Sequence, residues 1–307
     1  MPPELIAPTG AQPAVVVPPV PRRSFGFLAA VVLLLVCFHN PLTELVRFSL
    51  RDELSSYIPL IPLVSLYLVW LSRAAWRDDS APPRRLAAIP LALGLGLIAV
   101  YGWGRQAGRV FEASDYLALM TFSLLALIVA ASFVFLGAQT LRAIAFPLAF
   151  LIFAVPLPAF VHQAIETFLQ HASADAAQMF FFVAFMPAWR EGQVFHLPGM
   201  SLEVAPECSG IHSTLVLLIT SVLAGHLFLR SPWRRTILVC AVLPLALLRN
   251  GFRILVIGEL CVHIGPEMIN SPIHRHGGPI FFAMSLVPFF YLLRWLHNSQ
   301  PSAPTQQ

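Results

Sequence analysis

The cysteine of the stretch PECSG, Cys208, stands immediately before a strongly apolar run. The first turn of a helix leaves backbone N–H groups without partners and carries the positive end of the helix dipole, so a thiol placed there ionises more readily. Ser209 can cap such a helix, and Gly210 lets another backbone come close. We therefore predict that Cys208 is a nucleophile, with a structural thiol or a disulfide as the alternatives.

Two arginines interrupt the apolar segment LLRNGFRIL, residues 247–255. Arg249 and Arg253 are four residues apart and share one face of a helix. If this segment spans a membrane, about 20 helical residues lead from its cytoplasmic end to its outer end. That count places Arg253 at the same membrane depth as Cys208 and Arg249 about 6 Å deeper in the membrane. At that depth Arg253 would stabilise a thiolate or the oxyanion formed by its attack. Alternatively, such an arginine snorkels or pairs with a buried acid such as Glu259.

Histidines that could move protons lie in two places. His274 and His276 stand in NSPIHRHGGPIFF before the last apolar run, and His212 follows Cys208 by one helical turn. A cysteine nucleophile needs a base for its proton and an acid for the leaving amine, and one imidazole can do both in turn. The residues alone leave the choice among these histidines open, and each could instead be a solvated loop residue or a helix cap.

The other cysteines, Cys37, Cys240 and Cys261, lie in apolar runs. They are predicted to be small packing residues. Cys261 lies close to the outer end of its span and is the nearest candidate for a disulfide with Cys208.

Composition makes the chain a polytopic membrane protein. Its 307 residues are 57% hydrophobic and 11% charged, and the mean hydropathy of +0.75 excludes a water-soluble globule. A spanning helix needs about 20 mostly apolar residues. The fold is predicted to be an all-α transmembrane helical bundle with about eight spans. Suitable runs are found at 25–42, 57–72, 87–104, 116–138, 143–161, 210–229, 236–262 and 279–296.

One further helical segment, residues 164–185, is not counted as a span. It carries Glu166, His171 and Asp175, which are costly on a face exposed to lipid. We predict an interfacial or re-entrant helix there.

Charge placement predicts the orientation. All 19 basic residues are arginine and the net charge is +4, which favours lipid headgroups as partners and not nucleic acid. Most arginines fall on one side of the predicted spans, which the positive-inside rule assigns to the cytoplasm. The loops 186–209 and 263–278 then share the outer face. The Pro-rich residues 1–24 are predicted to be a disordered cytoplasmic tail, and residues 298–307 are predicted to be a polar cytoplasmic tail. Residues 25–297 between them are predicted to form a single membrane domain.

The motifs taken in order resemble those of the exosortase/archaeosortase family of membrane-embedded cysteine transpeptidases. Its hallmarks are a Cys in a C-S-G context, an Arg in N-x-x-R and a His in H-x-x-x-G-x-x-x-F. The matching positions are Cys208, Asn250 with Arg253, and His274 with Gly278 and Phe282. The likeness continues upstream through VPLPAF and MPAWREGQVFHLPGMSLEV and covers residues 52–297.

This resemblance selects His274 over His276 and His212 as the proton-transfer residue, and it leaves Arg249 outside the pattern. It implies that the substrates are exported proteins ending in a short motif, a transmembrane helix and an Arg-rich end. Cys208 would cut at the motif, Arg253 would stabilise the oxyanion, and the resulting thioester would pass to an envelope acceptor. The implied place is the bacterial cytoplasmic membrane, with the site facing outward, and no metal or organic cofactor is required.

Two other classes of protein are weaker alternatives. A metal-dependent intramembrane protease is suggested by acids and histidines close together in sequence, yet the chain has no H-E-x-x-H motif. The residues concerned are Glu259, His263, Glu267, His274 and His276. A non-catalytic transporter is suggested by the many spans, but no Gly/Pro-broken helices in matching halves indicate inverted repeats.

Overall fold

A computed structural model describes residues 22–75, 81–205, 209–270 and 277–300. Cys208, His274 and His276 therefore lie outside the described residues, as do residues 1–21 and 301–307 of the predicted tails. The first described helix already begins at Arg22, so the end of the predicted N-terminal tail overlaps it. The boundaries predicted for one membrane domain, 25–297, stay a prediction.

Within the described residues the chain forms eleven α-helices, several short 3-10 turns and one small sheet. The helices are α1 (Arg22–Cys37), α2 (His39–Arg51), α3 (Leu60–Leu71), α4 (Ala88–Gln106), α5 (Ala113–Phe135), α6 (Ala138–Phe150), α7 (Ala159–Val183), α8 (Ile211–Phe228), α9 (Pro232–Cys240), α10 (Val242–His263) and α11 (Gly278–Asn298). The 3-10 turns lie at Glu53–Ser55, Ser72–Ala75, Arg84–Ala87, Leu151–Ala154 and Pro266–Asn270.

The all-α membrane class is confirmed. Six helical segments of the described chain are long and apolar enough to cross a membrane, and the number rises to eight if each of two bent helix pairs is one span. The six segments are Glu53–Leu71, Arg84–Gln106, Ala113–Phe135, Ile211–Phe228, Pro232–His263 and Gly278–Asn298. The bent pairs are Phe25–Cys37 with His39–Arg51 and Ala138–Ala154 with Ala159–Val183.

Two predicted spans were wrong as continuous helices. The run 25–42 is broken at Phe38, between α1 and α2. The run 143–161 is broken after Ala154, where Val155 is extended with φ −79° and ψ 121°. Pro156 and Pro158 follow, and the residue before a proline is pushed out of the helical region by the pyrrolidine ring.

Helix α7 takes the place of the predicted interfacial or re-entrant segment 164–185. It is continuous for 25 residues. It is long and apolar enough to cross a membrane only when it is taken together with the bent helix before it, Ala138–Ala154. Ala174, Ala177 and Phe181 are buried on one face of the helix, whereas His171 and Asp175 are exposed on the other.

The stretch before Cys208 forms a sheet that the all-α prediction did not include. The strands β1 (Trp189–Glu191), β2 (Val194–Leu197) and β3 (Met200–Glu203) pair antiparallel in the order β1-β2-β3. Gly192 and Gly199 adopt φ values of +62° and +84° at the two turns. Glycine alone takes this conformation without steric cost.

The chain divides into two compact units by its internal contacts. Of the described residues, the first unit comprises 22–44, 59–75, 81–110 and 119–155, and the second comprises 45–58, 111–118, 156–205, 209–270 and 277–300. Inside the first unit, the hydroxyl of Ser123 on α5 donates to the carbonyl oxygen of Gly94 on α4 at 2.8 Å. Gly94 permits this approach, since a Cβ there would lie 2.9 Å from Cγ of Leu127. All the described candidate site residues belong to the second unit.

In the second unit, α7 and α10 pack tightly at small residues. A Cβ on Gly251 of α10 would lie 2.8 Å from Cβ of Ala176 and 2.9 Å from backbone atoms of α7. Further along, the ring of Phe181 fills the space left by Gly258. The sheet closes this core, because Phe195 of β2 is fully buried with its ring centroid 5.1 Å from that of Phe181.

Candidate active site

Helix α8 begins directly after the C-S-G motif. Its N-cap is Gly210, with φ +69° and ψ 20°, and no side chain caps it. The expectation that Ser209 caps the helix was therefore wrong, because the left-handed turn at Gly210 makes this residue the cap. Ser209 is buried, with 1% of its surface exposed. The free N–H groups of the first turn consequently point towards the end of the helix that is joined to Cys208.

The side chain of Asn250 holds the backbone at this helix start. Its Nδ2 donates to the carbonyl oxygen of Ser209 at 2.5 Å and to the hydroxyl of Ser173 on α7 at 3.2 Å. Both amide protons are thus used in a site where Asn250 is only 3% exposed. The prediction that Gly210 allows a close approach is correct in kind, but the neighbour is this amide and not another backbone. A Cβ at Gly210 would lie 2.8 Å from Cγ of Asn250.

Arg249 is buried beside the same turn, with 7% of its surface exposed. Its Nη2 lies 3.4 Å from the carbonyl oxygen of Gly210 and 3.3 Å from Oδ1 of Asn250. Among the described residues, its Nη1 has no hydrogen-bond partner and no carboxylate forms an ion pair with it. A guanidinium buried without an anion is costly, and among the described residues Arg249 is an uncompensated positive charge beside this turn.

Arg253 lies one turn further along α10 and is half-buried. It shares a helix face with Arg249, as predicted. The acid suggested as a partner for the arginines, Glu259, instead pairs with His263, with Oε2 and Nε2 3.0 Å apart.

An aromatic contact brings α11 to the same part of α10. The ring centroid of Phe252, adjacent to Arg253, lies 6.1 Å from that of Phe180 on α7 and 6.4 Å from that of Phe281 on α11. Both pairs meet edge to face, an arrangement that aromatic quadrupoles favour. The first turn of α11, which follows the His274 segment in the sequence, therefore lies beside the Arg253 region of α10. The convergence of Cys208, Arg253 and His274 stays a prediction, since two of the three are outside the described residues.

His212 points to a different neighbour. It is exposed on the first turn of α8, and its Nε2 lies 3.4 Å from the hydroxyl of Ser56, just after the 3-10 turn Glu53–Ser55. Among the described residues, this contact pairs His212 with Ser56 and not with another candidate site residue.

The sequence did not predict the residues of α7 that reach this site. Gln170, 8% exposed, donates from Nε2 to the carbonyl oxygen of Val204 at 2.5 Å. Ser173, fully buried, accepts from Asn250. A polar pair spaced three apart within an apolar helix face was the available signal. It was hidden because Glu166, His171 and Asp175 made the whole segment look polar.

Three cysteines are described and all three are free. Cys261 is buried, as expected of a packing residue, whereas Cys37 and Cys240 are exposed, so the packing prediction was wrong for those two. Within the described residues no group of three or more histidine, cysteine or acidic side chains could hold a metal ion. The residues His274 and His276 of the alternative metal hypothesis are not among them.

The described geometry thus joins two of the three motifs, C-S-G and N-x-x-R, through direct hydrogen bonds. A family model described as transmembrane exosortase matches residues 49–291, which is most of the chain. The chain belongs to the transmembrane exosortase family. Comparisons with curated proteins and with solved structures give no match.

Membership of the exosortase family confirms the resemblance drawn from the motifs. The chain is therefore an integral membrane protein with an exosortase-type role in protein sorting. The exosortase match includes all the predicted site residues, from Cys208 to His276.

Proposed function

We propose that this exosortase is a cysteine transpeptidase that cleaves the C-terminal sorting signal of exported proteins. The observation that carries the proposal is the hydrogen bond from Asn250 to the carbonyl oxygen of Ser209, because it ties the N-x-x-R helix to the residue joined to Cys208. One reaction, acyl transfer, fits these features. They are the protein-sorting family, a cysteine at a helix start and two arginines on the adjoining helix face.

In this reaction the Cys208 thiolate attacks the backbone carbonyl carbon of the sorting motif. The carbonyl oxygen gains negative charge, which Arg253 stabilises. His274 then donates a proton to the departing amine, and the carbon–nitrogen bond breaks to leave a thioester on Cys208. The same imidazole next removes a proton from the acceptor nucleophile. The acceptor attacks the thioester and releases the Cys208 thiolate, so the enzyme returns to its starting state.

The described groups support a negatively charged sulfur and oxyanion at this place. The first turn of α8 presents free N–H groups and the positive end of its dipole. Arg249 adds a buried positive charge within 3.4 Å of Gly210, two residues from Cys208. In a medium of low dielectric constant these charges act more strongly than they would in water.

The partners follow from the membrane setting. A substrate anchored by its own C-terminal helix would present its motif at the membrane surface, and sharing a bilayer supplies much of the entropy cost of bringing the reactants together. The Arg-rich end of that substrate stays in the cytoplasm by the same positive-inside rule that orients this chain. We place the active site at the outer face of the bacterial cytoplasmic membrane, where an envelope acceptor receives the exported protein. The reaction uses side chains of the protein and needs no metal.

The proposal is tested by the fate of exported proteins in the native cells. Peptide mass spectrometry measures the fraction of proteins with a C-terminal transmembrane helix and Arg-rich end that retain that helix. Cells with Cys208→Ala or His274→Ala are expected to retain it as fully as cells lacking the enzyme. His212→Ala is the matched control and is expected to leave most of the processing intact.

Two results would contradict the assignment. Normal processing in Cys208→Ala cells would remove the cysteine mechanism. Loss of processing in His212→Ala, together with normal processing in His274→Ala, would assign the proton transfer to His212.

A further inference from the structure

The cysteine segment, defined as residues 204–210, is fixed at its entry by a buried side chain of α7. Val204, 1% exposed, follows β3, and its N–H donates to the carbonyl oxygen of Gln193 at 2.9 Å. Its own carbonyl oxygen accepts from Nε2 of Gln170 at 2.5 Å. Both backbone groups of Val204 are therefore used, and the peptide plane that leads towards Cys208 has a defined orientation.

The exit of the cysteine segment is fixed by a second buried amide. Asn250 donates to the carbonyl oxygen of Ser209, and its other amide proton is accepted by the hydroxyl of Ser173. Because the carbonyl must accept, the amide nitrogen faces Ser209, and Oδ1 is left to accept from Arg249. The hydroxyl of Ser173 accepts the second amide proton and so supports this orientation of Asn250.

Gln170 and Ser173 belong to one face of one helix. They are three residues apart on α7, which makes their side chains neighbours. The same face carries Ala174, Ala177 and Phe181 in an apolar core, where leucine or alanine would pack without cost from unpaired polar atoms. Both polar side chains are directed to the cysteine segment, Gln170 at its entry directly and Ser173 at its exit through Asn250.

We propose that Gln170 and Ser173 are positioning residues that hold the two ends of the cysteine segment at a fixed place on α7. The inference rests on the proposed function of Cys208 and extends it to a helix that none of the three motifs touches. Val204 and Ser209 are each held by a buried amide, so the described backbone on either side of Cys208 is fixed relative to α7. We expect loss of either anchor to shift that backbone and so to weaken the stabilisation of a Cys208 thiolate by the start of α8.

The test uses the full-length enzyme in native membranes with Cys37 and Cys240 replaced by serine. Cys208 then reacts with a membrane-impermeant maleimide, and buried Cys261 reports on folding by staying unlabelled. Gln170→Met keeps the length of the side chain and removes the donor. Gln178→Met is the matched control, since Gln178 lies on the same helix but is exposed, and its Oε1 accepts from Arg190.

Gln170→Met is expected to slow processing of helix-anchored exported proteins by about 10-fold to 100-fold, the loss typical of a misplaced reacting group. The pH profile of Cys208 labelling is expected to move to higher pH, while the rate at high pH, where the thiol is fully ionised, stays unchanged. A residue that served only packing would lower the amount of folded enzyme without moving this profile. The Gln178→Met control is expected to match the parent protein.

If Gln170→Met does not accumulate in the membrane, or if its Cys261 becomes labelled, Ser173→Ala tests the positioning role instead. It removes one acceptor of Asn250 at little cost in volume, and it is expected to change processing and the labelling profile in the same direction. Parental processing and parental profiles in both variants would overturn the positioning role and leave the proposed function intact. Processing that persists in Cys208→Ala would instead overturn the proposed function, while the labelling profiles still report on the position of the thiol.

Discussion

The amide nitrogen of Asn250 lies 2.5 Å from the carbonyl oxygen of Ser209, across 41 positions of the sequence. Asn250 stands three residues before Arg253 in the N-x-x-R motif, and Ser209 follows Cys208 in the C-S-G motif. One hydrogen bond therefore connects two motifs that the sequence could only order along the chain. The chemistry of an amide explains why asparagine suits position 250. Its side chain offers a donor for the carbonyl of Ser209 and an acceptor for Arg249 at once.

Asn250→Asp should abolish most processing while the protein still folds. The change replaces the amide nitrogen with an oxygen that faces the carbonyl of Ser209, and a lost buried hydrogen bond with an unsatisfied partner costs about 1–3 kcal/mol. Arg249 can pair with the new carboxylate, which favours retention of the fold. Processing in native cells is the measurement, with Asn40→Asp on the exposed surface of α2 as control. Activity equal to that of the parent would show that the bond to Ser209 is dispensable.

Gly210→Ala should be far more damaging than Gly199→Ala. Both positions have positive φ, +69° and +84°, so each alanine carries backbone strain of about 1 kcal/mol or more. Only at Gly210 does the added Cβ also collide with the amide of Asn250, whereas nothing lies within 4 Å at Gly199. Membrane abundance and the rate of Cys208 labelling measure the difference. Equal effects of the two substitutions would mean that strain, and not contact with Asn250, accounts for the glycine.

Gly251→Ala should lower the melting temperature of the detergent-solubilised protein. Alanine is the better helix former by about 1 kcal/mol, but here its Cβ would meet Ala176 at 2.8 Å and the backbone of α7 at 2.9 Å. Overpacking of this kind costs about 1–3 kcal/mol. Gly96→Ala on α4 is the matched control, because its Cβ meets nothing within 4 Å, and it should leave the melting temperature equal or higher. A stabilising Gly251→Ala would contradict the close packing of α7 on α10.

Arg253→Lys should lose most of its processing activity although the positive charge is kept. A guanidinium offers a planar fork of donors, whereas an ammonium is a single, strongly hydrated charge on a flexible stem. Removal of one oxyanion donor costs about 10²–10³ in rate in other acyl-transfer enzymes. Arg142→Lys, on α6 in the other compact unit, is the control. Full processing by Arg253→Lys would take this residue out of the oxyanion role and leave only a general electrostatic contribution.

The spans could be predicted because the requirement is local. Helices such as α5 and α8 are apolar over 23 and 18 residues. An apolar run of that length can be recognised in the sequence itself. The breaks were harder to predict. Val155 leaves the helical conformation because of the proline that follows, and this effect competes with the hydropathy of a run that otherwise favours one helix.

The motif residues could be named as candidates from the sequence, but the side chains that support them could not. Cysteine, arginine and histidine carry chemistry that their types reveal, whereas glutamine and serine acquire a role only from what they touch. Gln170 became a partner of Val204, and Ser173 a partner of Asn250, through the folding of α7 against β3 and α10. Those contacts join residues 34 and 77 positions apart, and no local pattern specifies them.

The sequence by itself determined that this chain is a membrane protein and which residues are candidates for its reaction, because hydropathy and side-chain chemistry belong to the residues. Only the tertiary structure decided which polar side chains of α7 face inward. His171 and Asp175 are exposed, while Gln170 and Ser173 are buried against the cysteine segment. The physical reason is that burial of a polar group is tolerated only where a partner meets it. That partner, Asn250 for Ser173 and Val204 for Gln170, is brought there by packing at Gly251 and by the sheet.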